Sequence, residues 1–371
     1  MIPMQDLLAR QVPSALDNPL SATDWPSHRQ KLLDTLARHE YGFSPPAPSQ
    51  VDTRLLVEER RAFAGKADHL KVELSFATMR GEFSFPVDLV LPLPNAGTKL
   101  PDAHSKLSNA RLPLAVYLSF TPYPAAPYVP IEEIVDSGYA LAIFCYQDVT
   151  RDQHDDFQSG LASQFDRSGD DGTQWGKIAM WAWAASRVLD YALTLERIDP
   201  NRIFAIGHSR LGKTALWCAA QDERFAAAVA NNSGCSGAAI TRGKEGERVS
   251  NIVRNFPHWF CRNYQDYASR ESEMPFEQNQ LLAAIAPRPV CVGSAAEDLW
   301  ADPQSEFLAC LSASEAYVYL GFAGFVHPGQ YAQPGETFHQ GRIGYHLRAG
   351  THFLSRYDWQ QYLSFMDQHL V

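Results

Sequence analysis

Residues 202–216 read RIFAIGHSRLGKTAL. Ile203, Phe204, Ala205 and Ile206 make an apolar run of buried-strand length. Gly207 follows, then Ser209, then a segment with Leu211, Ala215 and Leu216 at helical spacing. Strand, tight Gly turn, Ser and helix together form the nucleophile elbow of α/β-hydrolases, which lifts a Ser hydroxyl above a parallel sheet. The fit to G-x-S-x-G is incomplete: Leu211 holds the second Gly position and Gly212 comes one residue late. Residues 207–214, GHSRLGKT, also satisfy the phosphate-loop pattern G-x-x-x-x-G-K-[ST]. That alternative needs a later apolar strand ending in Asp to hold magnesium. The next such strand, Phe225 to Ala230, ends in Asn231 and Asn232, which favours the Ser reading.

The flanking sequence supplies the sheet around this elbow. Upstream, Val51 to Leu56, Leu70 to Phe76 and Phe83 to Leu91 read as strands, the last two as a hairpin turning at Arg80-Gly81. Leu112 to Leu118 and Tyr139 to Cys145 are near-continuously apolar, as buried parallel strands are. Strands first, then strand–helix alternation, predicts an α/β fold. The expected sheet is mostly parallel, with antiparallel N-terminal strands and helices on both faces. Helices are predicted over Pro26 to Tyr41, Trp175 to Leu195, Asn279 to Ala286, Phe307 to Ala316 and Asp358 to His369, and further strands over Pro289 to Gly293 and Tyr317 to Leu320. Residues 92–111 read as a polar surface loop, and 148–172 as either a functional lid or a solvated connection. No linker or repeat divides the chain, so one domain over 1–371 is expected. It would carry an N-terminal extension over 1–60 and loop regions at 148–174 and 236–275 near the site.

Composition narrows the function. The 371 residues are 45% hydrophobic and 20% charged, as in an ordinary globule, and the net charge of −10 argues against nucleic acid or an anionic membrane as partner. The N-terminus lacks a basic start followed by an apolar core, so no secretion signal is read. The expected compartment is therefore cytoplasmic, or exported if a leader has been removed. The six Cys show no C-x-x-C, and buried thiols are expected. No Cys/His cluster has zinc spacing, so neither metal nor cofactor is implied.

A Ser hydroxyl needs an imidazole to take its proton and a carboxylate to orient that imidazole; in this fold they follow in the order Ser, acid, His. After the strand Pro289 to Gly293 comes SAAEDLWADP, where Asp298 sits at the turn and Glu297 beside it. His327, His339, His346 and His352 all lie late enough to be the base. His352, after a Gly turn and before the terminal helix, has the usual placement.

Six blocks in order resemble the bacterial glucuronoyl esterases, carbohydrate esterase family 15. They are WGKIAMWAWAASRVLDY, GHSRLGKTALW, NNSGCSGAA, FPHWFC, EDLWADP and GYHLRAGTH with YDW, spanning about Trp175 to Trp359. The resemblance implies a cofactor-free serine esterase acting on esters of (4-O-methyl-)glucuronic acid, as in lignin–xylan linkages. It implies Ser209 as nucleophile, His352 as base, Arg210 as oxyanion donor, and Lys213, Glu247 and Trp300 as sugar contacts. An acetyl-xylan or general carbohydrate esterase is the nearest alternative. One departure stands out: some members carry a Glu triad acid where this chain has Asn232. An amide cannot neutralise an imidazolium, so activity would require Asp298, where many bacterial members supply the acid.

Overall fold

The computed structural model describes residues 4–16, 24–94 and 111–370; the loop expected over 92–111 therefore lies largely outside the described residues. Ten strands form one sheet in the order β1-β2-β3-β5-β4-β6-β7-β8-β10-β9. They are β1 Asp52–Arg61, β2 Ala67–Thr78, β3 Gly81–Pro92, β4 Leu112–Ser119, β5 Ala140–Cys145, β6 Ile198–His208, β7 Ala227–Asn231, β8 Val290–Ala295, β9 Thr337–Phe338 and β10 Ile343–Arg348. The first three and β5 pair antiparallel, β5 through β10 pair parallel, and β9 returns antiparallel on β10. This is the mixed, mostly parallel sheet of the α/β-hydrolase fold.

The central strands read as unbroken apolar runs because both faces are covered. Along β4, Leu114, Val116 and Leu118 enter the core beneath the Lys177–Ala192 and Arg210–Gln221 helices, while Ala115 and Tyr117 enter the core beneath the Arg356–His369 helix. That period-2 division fixes the register of the sheet, since a one-residue slip would exchange the two cores. All six Cys are free and buried. No helix among the described residues is long and apolar enough to cross a membrane.

Three elements differ from expectation. Tyr317 to Leu320, a β-prone Tyr-Val-Tyr-Leu run, is not a strand: the Pro303–Tyr319 helix continues through it, and Gly321 at φ +84° follows its end. The strand after β8 in the parallel series is instead β10, on which Tyr345 and Leu347 are buried. β1 runs on through Glu58, Glu59 and Arg60, every residue of it exposed, so its charged half carries no alternating pattern. The helix expected over Pro26 to Tyr41 is α-helical from Trp25 to Leu36 and closes in a π-turn at Ala37–Tyr41.

Candidate active site

Residue after residue, the site is assembled at the carboxyl ends of the parallel strands, where open α/β sheets place their ligand crevices. Ser209 follows β6 and sits at φ +57°, ψ −127°. That left-handed backbone costs a non-Gly residue about 1–3 kcal/mol and is held by the surrounding packing. Two glycines make the turn sterically feasible. A Cβ on Gly207 would lie 2.0 Å from the Leu211 carbonyl oxygen, and one on Gly212 would lie 3.1 Å from both Gly207 O and Ser233 Cβ. Gly212, one residue late for the motif, thus supplies the close approach that the second motif Gly normally gives. The Ser209 N–H is tied to Asn231 O at the end of β7, 2.9 Å away.

Asp298 lies on the turn after β8 and His352 on the loop after β10. His352 Nδ1 is 2.6 Å from Asp298 Oδ2, the carboxylate is buried, and the imidazole is 42% exposed. With Nδ1 engaged, Nε2 is the nitrogen left to exchange a proton. The His352 ring packs against His208, the residue preceding Ser209, with centroids 4.5 Å apart. His208 is buried and bonded through Nδ1 to Asn231 Oδ1 at 2.7 Å. Burial first, and the neighbouring His352 second, pull its imidazole down to about 3. A neutral His208 leaves His352 free to become cationic without a like charge beside it.

Glu297 does not share this contact. It is exposed, and its carboxylate accepts from the Gly350 N–H at 3.2 Å. The other three late imidazoles are engaged elsewhere. His327 stacks on Phe325, His339 sits 3.8 Å from Cys291 Sγ, and His346 pairs with Asp358 at 2.9 Å.

Asn232 donates from Nδ2 to the same Asp298 Oδ2, at 2.8 Å. Burial would raise the Asp298 carboxyl, but His352 and then Asn232 outweigh it and hold it below the usual carboxylate range. The amide at position 232 therefore supports the Asp298 carboxylate. Behind it, Glu306 accepts from Ser233 Oγ at 3.2 Å and Gly234 N at 2.9 Å, fixing the turn that carries Asn232; Ser294 Oγ donates to its other oxygen. Glu306 is wholly buried, which lifts its carboxyl to about 7. A folded value above the ordinary 4.5 means that this group favours folding most below pH 4.5 and loses that contribution as pH rises through about 7. Relative to Glu306→Gln, the native protein is expected to lose about 3 kcal/mol of unfolding free energy across that window. Urea titrations of both proteins from pH 4.5 to 7.5 check this, and parallel curves would contradict it.

Arg210 opens the elbow helix, and its guanidinium faces Trp259, with 4.7 Å from Cζ to the ring centroid. Lys213 is buried. Its Nζ donates to Ser233 O at 2.7 Å and to Cys235 O, and lies 3.5 Å from Glu247 Oε2. This settles the phosphate-loop pattern: its lysine is consumed by backbone carbonyls, and the Thr214 hydroxyl donates to Arg210 O. The Glu247 N–H donates to Trp300 O at 2.9 Å, so these two sites are neighbours, and the Trp300 side chain stands 54% exposed. Sequence reasoning missed His208, Glu306 and Asp152. An acid on a loop just past a parallel strand was the criterion that singled out Asp298, and Asp152, which follows β5, meets the same criterion.

The family model for glucuronyl esterase of fungi matches residues 109–321. Carbohydrate esterase MZ0003 of an unknown prokaryotic organism is 41% identical over 245 residues, 65% of this chain; the match spans 56% of that relative's length. The 4-O-methyl-glucuronoyl methylesterase of Phanerochaete carnosa is 26% identical over 326 residues, covering 84% of this chain and 72% of its own. Among solved structures, a glucuronoyl esterase from Solibacter usitatus superposes with a TM-score of 0.86 at 32% identity, covering 97% of this chain and 98% of that one.

Proposed function

Because this chain belongs to the glucuronoyl esterase family, we propose that it hydrolyses esters of glucuronic or 4-O-methyl-glucuronic acid through an acyl-enzyme on Ser209. The Ser209 hydroxyl attacks the ester carbonyl while His352 Nε2 takes its proton. Asp298 keeps the imidazole in the tautomer that can accept and stabilises the cation that results. The carbonyl oxygen becomes an anion, met by the backbone N–H of Arg210 at the start of the elbow helix and by its guanidinium. Donors already aimed at that oxygen contribute about 3 kcal/mol each. The imidazolium returns its proton to the departing alcohol, and a water activated by the same nitrogen releases the free uronate. Trp300 offers a flat apolar face to the sugar ring, with Glu247 beside it for the hydroxyls; Lys213, expected as a second sugar contact, is engaged by two backbone carbonyls and by Glu247 and so acts by holding that carboxylate. The contact between His352 and Asp298, with the imidazole packed on the residue before Ser209, carries this reading.

The test is a substrate panel. The methyl ester of 4-O-methyl-glucuronate is expected to exceed an acetylated xylose in kcat/KM by about 100-fold or more, because a site built to bond the acid's hydroxyls rejects substrates lacking them. Faster turnover of the acetate would overturn the assignment in favour of a general carbohydrate esterase.

A further inference from the structure

The first part of the segment 148–172 is pinned to the core at Thr150, Arg151, Gln153 and Asp155. The buried Lys177 ammonium donates to Arg151 O at 2.7 Å and Gln153 O at 2.8 Å, one on each side of Asp152, and to Asp155 Oδ1 at 2.6 Å. Trp181 Nε1 holds Thr150 O at 3.1 Å. Both anchors stand on the Lys177–Ala192 helix, within the core, so the backbone around Asp152 is fixed to the most deeply packed part of the molecule.

What this backbone presents is one buried carboxylate with four side-chain donors. Asp152 Oδ1 accepts from Trp259 Nε1 at 2.7 Å and His258 Nε2 at 2.9 Å; Oδ2 accepts from Tyr146 OH at 3.1 Å and from Arg210 Nη1. Burial would raise this carboxyl, but His258, Arg210 and Trp259 outweigh it and hold it at about 2, so it stays ionised. Arg210 is thereby gripped at one nitrogen, while Trp259, Phe256 and Phe120 stand 4.7–5.8 Å from its guanidinium carbon. Its Nε–H is buried without an acceptor. A free arginine side chain carries about 2 kcal/mol of rotamer entropy, which would otherwise be lost in the transition state.

We propose that Asp152 is a positioning residue: its carboxylate, held by the Lys177 anchor, fixes the Arg210 guanidinium before the substrate arrives, so that the donor is in place when charge develops on the carbonyl oxygen. The proposal rests on Arg210 acting at that oxygen. Two of the four donors to Asp152, His258 and Trp259, come from the 236–275 region. That insert therefore acts on the chemistry through Asp152 as well as beside it.

Two experiments separate the proposal from its premise. In a double-mutant cycle on methyl glucuronate, Asp152→Asn is expected to lower kcat by about 10- to 100-fold with KM little changed, a fraction of the loss from removing an oxyanion donor outright. The same change is expected to cost less than about 3-fold once Arg210 is Ala, because the effect runs through Arg210. Effects that multiply would overturn the proposal while leaving the function intact. An Arg210→Ala enzyme with native kcat would remove the premise itself. The second experiment does not depend on Asp152→Asn folding in the wild-type background. Guanidinium ion added at millimolar concentration is expected to restore part of the activity of Arg210→Ala, where the carboxylate can hold it. The doubly substituted enzyme, with its folded state checked by circular dichroism, is expected to show no rescue; equal rescue of both would overturn the proposal.

Discussion

Replacing Ser209 with Ala is expected to lower kcat on a glucuronate ester by about 10⁶-fold, with the fold retained. The hydroxyl is the atom that forms the covalent intermediate, and no neighbouring group can replace it. The second elbow donor, Thr214 Oγ1, faces Arg210 O on the helix side, and the Lys213 ammonium is occupied by two carbonyls. The substitution leaves Gly207, Gly212 and the Ser209–Asn231 backbone bond in place, so stability is expected to change little beyond the left-handed strain that Ala shares. Residual catalysis from oxyanion donors and substrate binding remains, about 10³–10⁴ over water. Burst kinetics with a chromogenic uronate ester provide the measurement. A pre-steady-state burst surviving in Ser209→Ala would show that another residue carries the acyl group.

Asp298→Asn is expected to cost about 10⁴ in kcat, and the hydrogen bonds around the carboxylate show why. Asp298 Oδ2 accepts from both His352 Nδ1 and Asn232 Nδ2, while Oδ1 accepts from the Ala301 N–H at 3.2 Å. An amide has one acceptor oxygen for these three donors. If that oxygen stays on Ala301, the NH₂ points at His352, and the imidazole must carry its proton on Nε2. In that tautomer it has no lone pair for the Ser209 proton. The NH₂ of residue 298 would also face that of Asn232, so a stability loss of about 1–3 kcal/mol accompanies the kinetic one. Because the Asn232 side chain reaches the same point as the Asp298 carboxylate, the double change Asn232→Glu with Asp298→Asn puts a carboxylate back beside the imidazole and is expected to regain part of the rate. Near-native turnover by Asp298→Asn alone would exclude Asp298 as the triad acid. Glu297→Gln serves as the control, since that carboxylate contacts Gly350 and not the imidazole.

Much of the architecture was legible because the central strands are buried on both faces and cannot tolerate polar interruptions. Ile203 to Ile206 and Ala140 to Cys145 therefore announced themselves. Where burial is one-sided or absent, the pattern failed: β1 is exposed throughout, and its Glu-Glu-Arg-Arg end reads as loop. Tyr317 to Leu320 misled for the opposite reason, since aromatic and β-branched residues that favour strands were kept in a helix by burial of Ala313, Ala316 and Tyr317. At the site, chain order and turn placement were enough to nominate Asp298 and His352. Choosing between Asp298 and Glu297 needed coordinates, because adjacent residues in a turn point in different directions. Asp152 meets the strand-end criterion too, but its significance lies in four partners drawn from three places in the chain, which only the fold brings together.

The parallel strand that comes last in the chain has a consequence for how activity is acquired. β10 pairs with β8, and His352 comes only after it. A nascent chain on the ribosome can possess a complete elbow, and even its packed helix, while the partner imidazole is still unsynthesised. During refolding, recovery of turnover will time the docking of β10 on β8 that brings His352 into place, whereas tryptophan fluorescence from Trp181 and Trp217 will time the interior. The two clocks need not agree, and the interval between them is the lifetime of a folded but silent hydrolase.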